Sequence, residues 1–178
     1  MQTTTVKLYT LGYTKPETYL AASLFVLGNI ALPQIFHLMP QGGIIWLPIY
    51  FFTLIGAYKY GWKVGLLTAV FSPVVNSFLF GMPLPVSLPA ILLKSVLLAL
   101  AAGVTAYRSR RVTIPLLALV VLAYQVFGTL GEWAMKGDFY LAAQDFRIGV
   151  PGMLLQVFGG YLLIRYLMIG KAQSGTTE

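Results

Sequence analysis

"PAILLKSVLLALAAG", residues 89 to 103, would suit the interior of a lipid bilayer except for its sixth residue, Lys94. An ammonium at the centre of a bilayer costs about 2.5 to 3.5 kcal/mol on insertion scales, so a chain that keeps one there must give it a partner or a route to water. The reading of the chain therefore turns on whether this run spans a membrane and how deep its lysine sits.

The surrounding sequence answers the first point. Of 178 residues, 58% are hydrophobic and 10% charged, against about 25% charged in a soluble domain. A spanning helix needs about 20 mostly apolar residues. Six runs qualify, at roughly 19 to 38, 43 to 60, 62 to 80, 86 to 107, 112 to 131 and 148 to 169. They are punctuated by "MPQGG", "YKYGWK", "GMPLP" and "RSRRVTIP", where Gly, Pro and charge favour turns. The second run is short and holds Pro48. The expected fold is all-α, with six transmembrane helices in one bundle over residues 19 to 169. A lead-in of residues 1 to 18 and a short tail of residues 170 to 178 flank it. The lead-in has no apolar core followed by a cleavage site and reads as cytoplasmic.

Orientation follows from the basic residues of the short loops. With the N-terminus inside, nine fall on the cytoplasmic side (Lys7, Lys15, Lys59, Lys63, Arg108, Arg110, Arg111, Arg165, Lys171) and two outside (Lys136, Arg147). Both termini are then cytoplasmic in a multi-pass protein of the plasma membrane. The same bias accounts for the net charge of +7 without a nucleic-acid partner. The longest connection, "GEWAMKGDFYLAAQDFR" at 131 to 147, lies outside and reads both as an interfacial aromatic segment and as a lid.

On this topology the polar side chains gather at one depth. Asn76, Lys94, Tyr124, Gln125 and Gln156 lie in the outer halves of four spans, and His37, Glu132 and Arg147 ring the same side. Polar groups at such depth are turned inward and mark a binding site. They point to a cavity open to the outside. If its span starts near Val86, Lys94 is about 12 Å deep, too deep to snorkel, and needs Glu132 or a bound anion as its partner. If the span starts at Pro89, it reaches the headgroups. Asn76 serves equally well as a hydrogen bond between helices. Asp138 and Asp145 read as solvated acids of the connection.

Other chemistry is excluded by what is missing. There is no Cys and one His, so thiolate and multi-histidine metal sites cannot be built. No HExxH, Gly-x-Ser-x-Gly or Walker loop occurs, and no Asp lies within a span. Neither an enzyme nor a cofactor is expected, and any power for transport must come from another subunit.

Residues 46 to 107, "WLPIYFFTLIGAYKYGWKVGLLTAVFSPVVNSFLFGMPLPVSLPAILLKSVLLALAAGVTAY", resemble the substrate-binding S components of energy-coupling factor (ECF) transporters. The matching features are Leu-Pro opening the second span, a basic Gly-containing turn into "GWKVGLLTAV", a third span closing in "FLFG", and a proline-bounded fourth span. The resemblance implies a six-helix subunit that captures a vitamin-like nutrient, working with a membrane coupling protein and two cytoplasmic ATPases. Many members carry Ala-x-x-x-Ala in the first helix. Here "YLAASLFVLG" supplies Ala21, Ala22 and Gly28 without that spacing. The nickel and cobalt members use a histidine near the N-terminus, which "MQTTT" lacks, so a metal substrate is disfavoured.

The expected function is thus capture of a small organic micronutrient, with an anionic one favoured as a partner for Lys94. On that reading, Lys94→Ala weakens binding and leaves the fold intact. The alternative is a scaffold membrane protein of a cell-envelope assembly, which needs no polar groups gathered at one depth.

Overall fold

Where the helices begin and end is written locally in the chain. In a computed structural model, which describes residues 10 to 169, prolines stand in the first turns of α1 (Pro16–His37), α5 (Leu88–Ser109), α6 (Ile114–Lys136) and α9 (Val150–Leu154). A first-turn proline costs nothing because its missing N–H would have had no helical partner. Two helices stop at left-handed glycines: α4 (Trp62–Phe80) at Gly81 and α6 at Gly137, with φ of 66° and 71°. The expected lead-in up to residue 9 and the tail from residue 170, with Lys7 and Lys171, lie outside the described residues.

Among the described residues every regular element is helical. Five segments are long and apolar enough to cross a membrane: Pro16–His37, Trp62–Phe80, Leu88–Ser109, Ile114–Lys136 and Val150–Met168. Their outward faces carry large apolar side chains such as Leu20, Leu24, Phe71, Phe78, Leu119, Phe127 and Leu162. The interior holds Asn29, Thr53, Ser72, Gln125 and Gln156, each fully buried. Apolar outside and polar within is the arrangement of a membrane protein.

The expected second run departs from a single span. It forms α2 (Gly42–Trp46), a 3₁₀ turn (Pro48–Tyr50) and α3 (Phe51–Tyr60). The break falls at Leu47, whose φ is 47°. Pro48 explains why α2 stops there, since proline disfavours right-handed helical backbone in the residue before it; the left-handed conformation of Leu47 is set beyond that local preference. Gly152 in α9 packs on this break, since a Cβ there would stand 2.4 Å from the Trp46 carbonyl. α3 itself runs through the centre of the bundle, with residues 53 to 59 all buried against α1, α4, α5 and α10 (Gly160–Ile169). A helix enclosed by protein can be short, because its neighbours cover its ends.

A second departure bears on the site. The fifth run was expected to end near residue 131, but α6 continues to Lys136. Glu132 therefore sits on a helix face. The connection beyond it folds into two one-turn helices, α7 (Phe139–Ala142) and α8 (Gln144–Arg147). Asp138 caps α7, accepting from the N–H groups of Tyr140 and Leu141 at 2.8 and 3.1 Å.

The two ends of the bundle differ in charge. Among the described residues, one end holds Lys15, Lys59, Lys63, Arg108, Arg110, Arg111 and Arg165 against Glu17 alone. The other holds Lys94, Lys136 and Arg147 against Glu132, Asp138 and Asp145, and is balanced.

A candidate site beneath an ion-paired connection

Lys94 lies six residues into α5, about 9 Å along its axis, and is 3% exposed. It does not reach outward. Its stem crosses α6 at Gly128, where a Cβ would come 2.5 Å from Lys94 Cγ. The ammonium then stands 2.6 Å from Glu132 Oε2 and donates to Asp145 Oδ2 at 2.8 Å. Lys136 donates to the other Glu132 oxygen at 2.6 Å, one helical turn along α6. Two cations and two carboxylates alternate in the order Lys136, Glu132, Lys94 and Asp145, so the group is neutral as a whole. Buried charges persist only when paired in this way.

Asp145 corrects the expectation of a solvated acid, since its side chain is 14% exposed and bound to Lys94. It also removes the reason for favouring an anionic ligand, because two carboxylates already supply the negative charge. Since α8 carries Asp145, the same contact ties the connection down over α5 and α6.

Deeper along α6, Tyr124 and Gln125 meet Gln156. Tyr124 donates to Gln156 Oε1 at 2.9 Å, and Gln125 Nε2 donates to the Tyr124 hydroxyl oxygen at 3.2 Å. All three are buried. Gln156 is placed by a π-helical segment, Leu155–Gly159, which widens the turn after α9; such segments are frequent at functional sites. The Tyr50 ring packs on the Tyr124 ring at 5.5 Å between centroids, joining the broken helix to this cluster. Hydrogen-bonding capacity is left over. Gln125 Oε1, Gln156 Nε2 and Thr129 Oγ1, which lies one turn above Gln125, are buried without a protein partner. Native interiors hold few such atoms.

Asn76 belongs to a different network. It donates to the backbone carbonyls of Asn29 in α1 and Ser72 in α4 at 2.9 and 3.0 Å. Asn29 in turn donates to Thr53 Oγ1 and Ser72 Oγ at 3.0 and 3.2 Å and accepts from the Phe52 N–H at 3.0 Å. The pair braces α1, α3 and α4, although Asn76 Oδ1 has no partner.

The expected residues thus divide. Lys94 pairs with Glu132 between α5 and α6, and Tyr124 and Gln125 of α6 meet Gln156 of the π-helical segment. Arg147 is exposed, stacked on the Tyr140 ring at 3.6 Å and hydrogen-bonded to its hydroxyl. His37 is exposed at the end of α1, beside Gly43. Sequence reasoning missed Asn29, Asp145 and Thr129. Asn29 carried a usable signal, being an amide inside an apolar run like Asn76; Asp145 carried none, because its partner is 51 residues away.

Tyr124, Gln125 and Gln156 are buried and bonded to one another. A cavity lies at the opposite, basic end, lined by Thr10, Tyr58 and Trp62 and by the last turns of α5 from Gly103 to Arg108. Among the described residues no cluster of three His, Asp or Glu side chains could hold a metal ion. Compared with known proteins, the chain matches no family model, no curated protein and no solved structure.

Proposed function

We propose that the chain is a six-crossing, non-catalytic solute-capture subunit of the plasma membrane, of the kind that S components of ECF transporters represent. In this reading α2 and α3 together form the sixth crossing, and the basic end faces the cytoplasm by the positive-inside rule. The solute is a small organic molecule, held at the Tyr124, Gln125, Thr129 and Gln156 cluster beneath the connection.

The observation that carries the reading is the unused hydrogen-bonding capacity of Gln125 Oε1, Thr129 Oγ1 and Gln156 Nε2, deep in the bundle. An acceptor, a donor and a hydroxyl beside one tyrosine suit a solute that carries both a donor and an acceptor. Since the neighbouring charges balance, that solute is uncharged or zwitterionic. The broken helix at Leu47 adds support, because discontinuous helices line solute sites in transporters. The Lys94 to Asp145 contact serves as the latch of a lid, and the described fold is the closed state. A coupling protein and ATPases would supply the power.

The reading is tested by purifying the chain in detergent, denaturing it and identifying released small molecules by mass spectrometry. Near-stoichiometric release of one polar organic compound supports it. An empty protein that also shows no thermal shift across a panel of vitamins sinks it, and favours the scaffold alternative.

A further inference from the structure

The basic end has a cavity of its own, far from the latch and independent of any solute site. It is a half-open cavity of about 350 Å³ between Thr10, α3, the start of α4 and the last turns of α5. This is near the lower end of the range of about 300 to 1,000 Å³ for small-molecule sites, enough for one end of an amphiphile.

The lining changes along the depth of the helix. At the mouth stands Arg108, the second-last residue of α5, exposed and without an ion pair among the described residues. Gly103 lies five residues inward, about 7.5 Å deeper. Between them Trp62, Val104 and Tyr107 make apolar walls. A Cβ at Gly103 would stand 2.5 to 2.8 Å from Trp62 atoms, so this glycine lets α4 begin close against α5 and bounds the cavity. Lys63 stands over the Trp62 ring at 5.7 Å, a second cation beside the wall.

An occupant must therefore have an apolar body at the level of Gly103 and negative charge at the level of Arg108. Its surroundings repel a cation, since among the described residues seven basic residues stand against one acidic residue at this end. We propose that this cavity holds an acidic phospholipid of the adjoining leaflet, with its phosphate at Arg108 and an acyl chain against Trp62, Val104 and Tyr107. The membrane supplies such a molecule in the required orientation, head outward and chain inward. Basic residues near a membrane surface each favour anionic lipid modestly.

Native mass spectrometry of the full chain in detergent, titrated with phosphatidylglycerol and phosphatidylcholine of matched acyl chains, tests this. One phosphatidylglycerol should bind about five-fold tighter or more than phosphatidylcholine. Arg108→Gln, at an exposed position, should bring the two within about two-fold, while Arg165→Gln, at the same end but off the cavity, should leave the preference intact. Equal binding of the two lipids overturns the proposal, as does an Arg165→Gln effect as large as that of Arg108→Gln, which would mean generic surface charge. Displacement of the lipid by inorganic phosphate at similar concentration would also overturn it, in favour of a free-anion site.

Discussion

Lys94 Nζ lies 2.6 Å from Glu132 Oε2, across the contact between α5 and α6 and over the bare backbone of Gly128. Neither residue explains the other in isolation. Each is a buried charge whose presence among apolar helices is tolerable because the other is there, with Asp145 and Lys136 completing the set.

Removing the ammonium alone should be costly. Lys94→Met leaves Glu132 and Asp145 as neighbouring buried carboxylates, and breaking a buried pair in this way costs about 3 to 5 kcal/mol. The structure thus changes the sequence-based expectation that this lysine can be deleted without harm to the fold. Thermal unfolding in detergent should show a large fall for Lys94→Met and partial recovery in Lys94→Met with Glu132→Leu. Lys136→Met, at a side chain 29% exposed, should cost less than about 1 kcal/mol.

Asp145→Asn separates the latch from the fold. It keeps the shape of the side chain and weakens its hold on Lys94. Hydrogen exchange over residues 137 to 149 should accelerate, with little change in α4 or in the buried part of α5. Unchanged exchange in that segment would show that other contacts hold the connection down.

Tyr124→Phe removes the hydroxyl that donates to Gln156 and accepts from Gln125. Two buried amides then lose a partner, at about 1 to 3 kcal/mol for each group left unsatisfied. The unfolding midpoint should drop, and any co-purifying solute should be retained about ten-fold less well, equivalent to about 1.4 kcal/mol. A lower midpoint with solute retention intact would make Tyr124 structural only.

Asn29→Ala is expected to loosen α1 from α3 and α4, since Asn29 takes part in four hydrogen bonds, counting the one its carbonyl accepts from Asn76. The three that its side chain makes are lost. Interhelical bonds in membranes average about 0.6 kcal/mol, so the total loss is about 2 kcal/mol. Asn76→Ala, which removes two donor contacts, should cost less. Reversal of that order in unfolding measurements would show that Asn29 is not the centre of the network.

Gly152→Ala and Gly137→Ala provide a packing contrast. A Cβ at 152 meets the Trp46 backbone at 2.4 Å, which cannot swing aside, so about 1 to 3 kcal/mol is expected. A Cβ at 137 meets nothing, and its cost of about 1 kcal/mol comes only from the left-handed backbone. Circular dichroism melts of the two variants would separate the effects.

By itself the sequence determined whatever depends on near neighbours along the chain. The apolar run lengths marked a helical membrane protein, and Gly81 and Pro89 marked helix boundaries, because turn signals and hydrophobic patterning act over a few residues; the start of α1 at Pro16 and the end of α6 at Gly137 were not read from it. That Lys94 needs a partner if it lies deep, with Glu132 as one candidate, was legible too, although the sequence left a shallow lysine reaching the headgroups open as well. The second partner of Lys94 was not legible. Whether Asp145 is solvated or buried depends on where a connection 51 residues away comes to rest, and that is set by the packing of α5, α6 and the broken α2 and α3 pair. The same holds for Asn29, Asn76 and Ser72: their amides and hydroxyl are plain in the sequence, but only the close approach of three helices decides which of them meet and which atom, Asn76 Oδ1, is left without a partner.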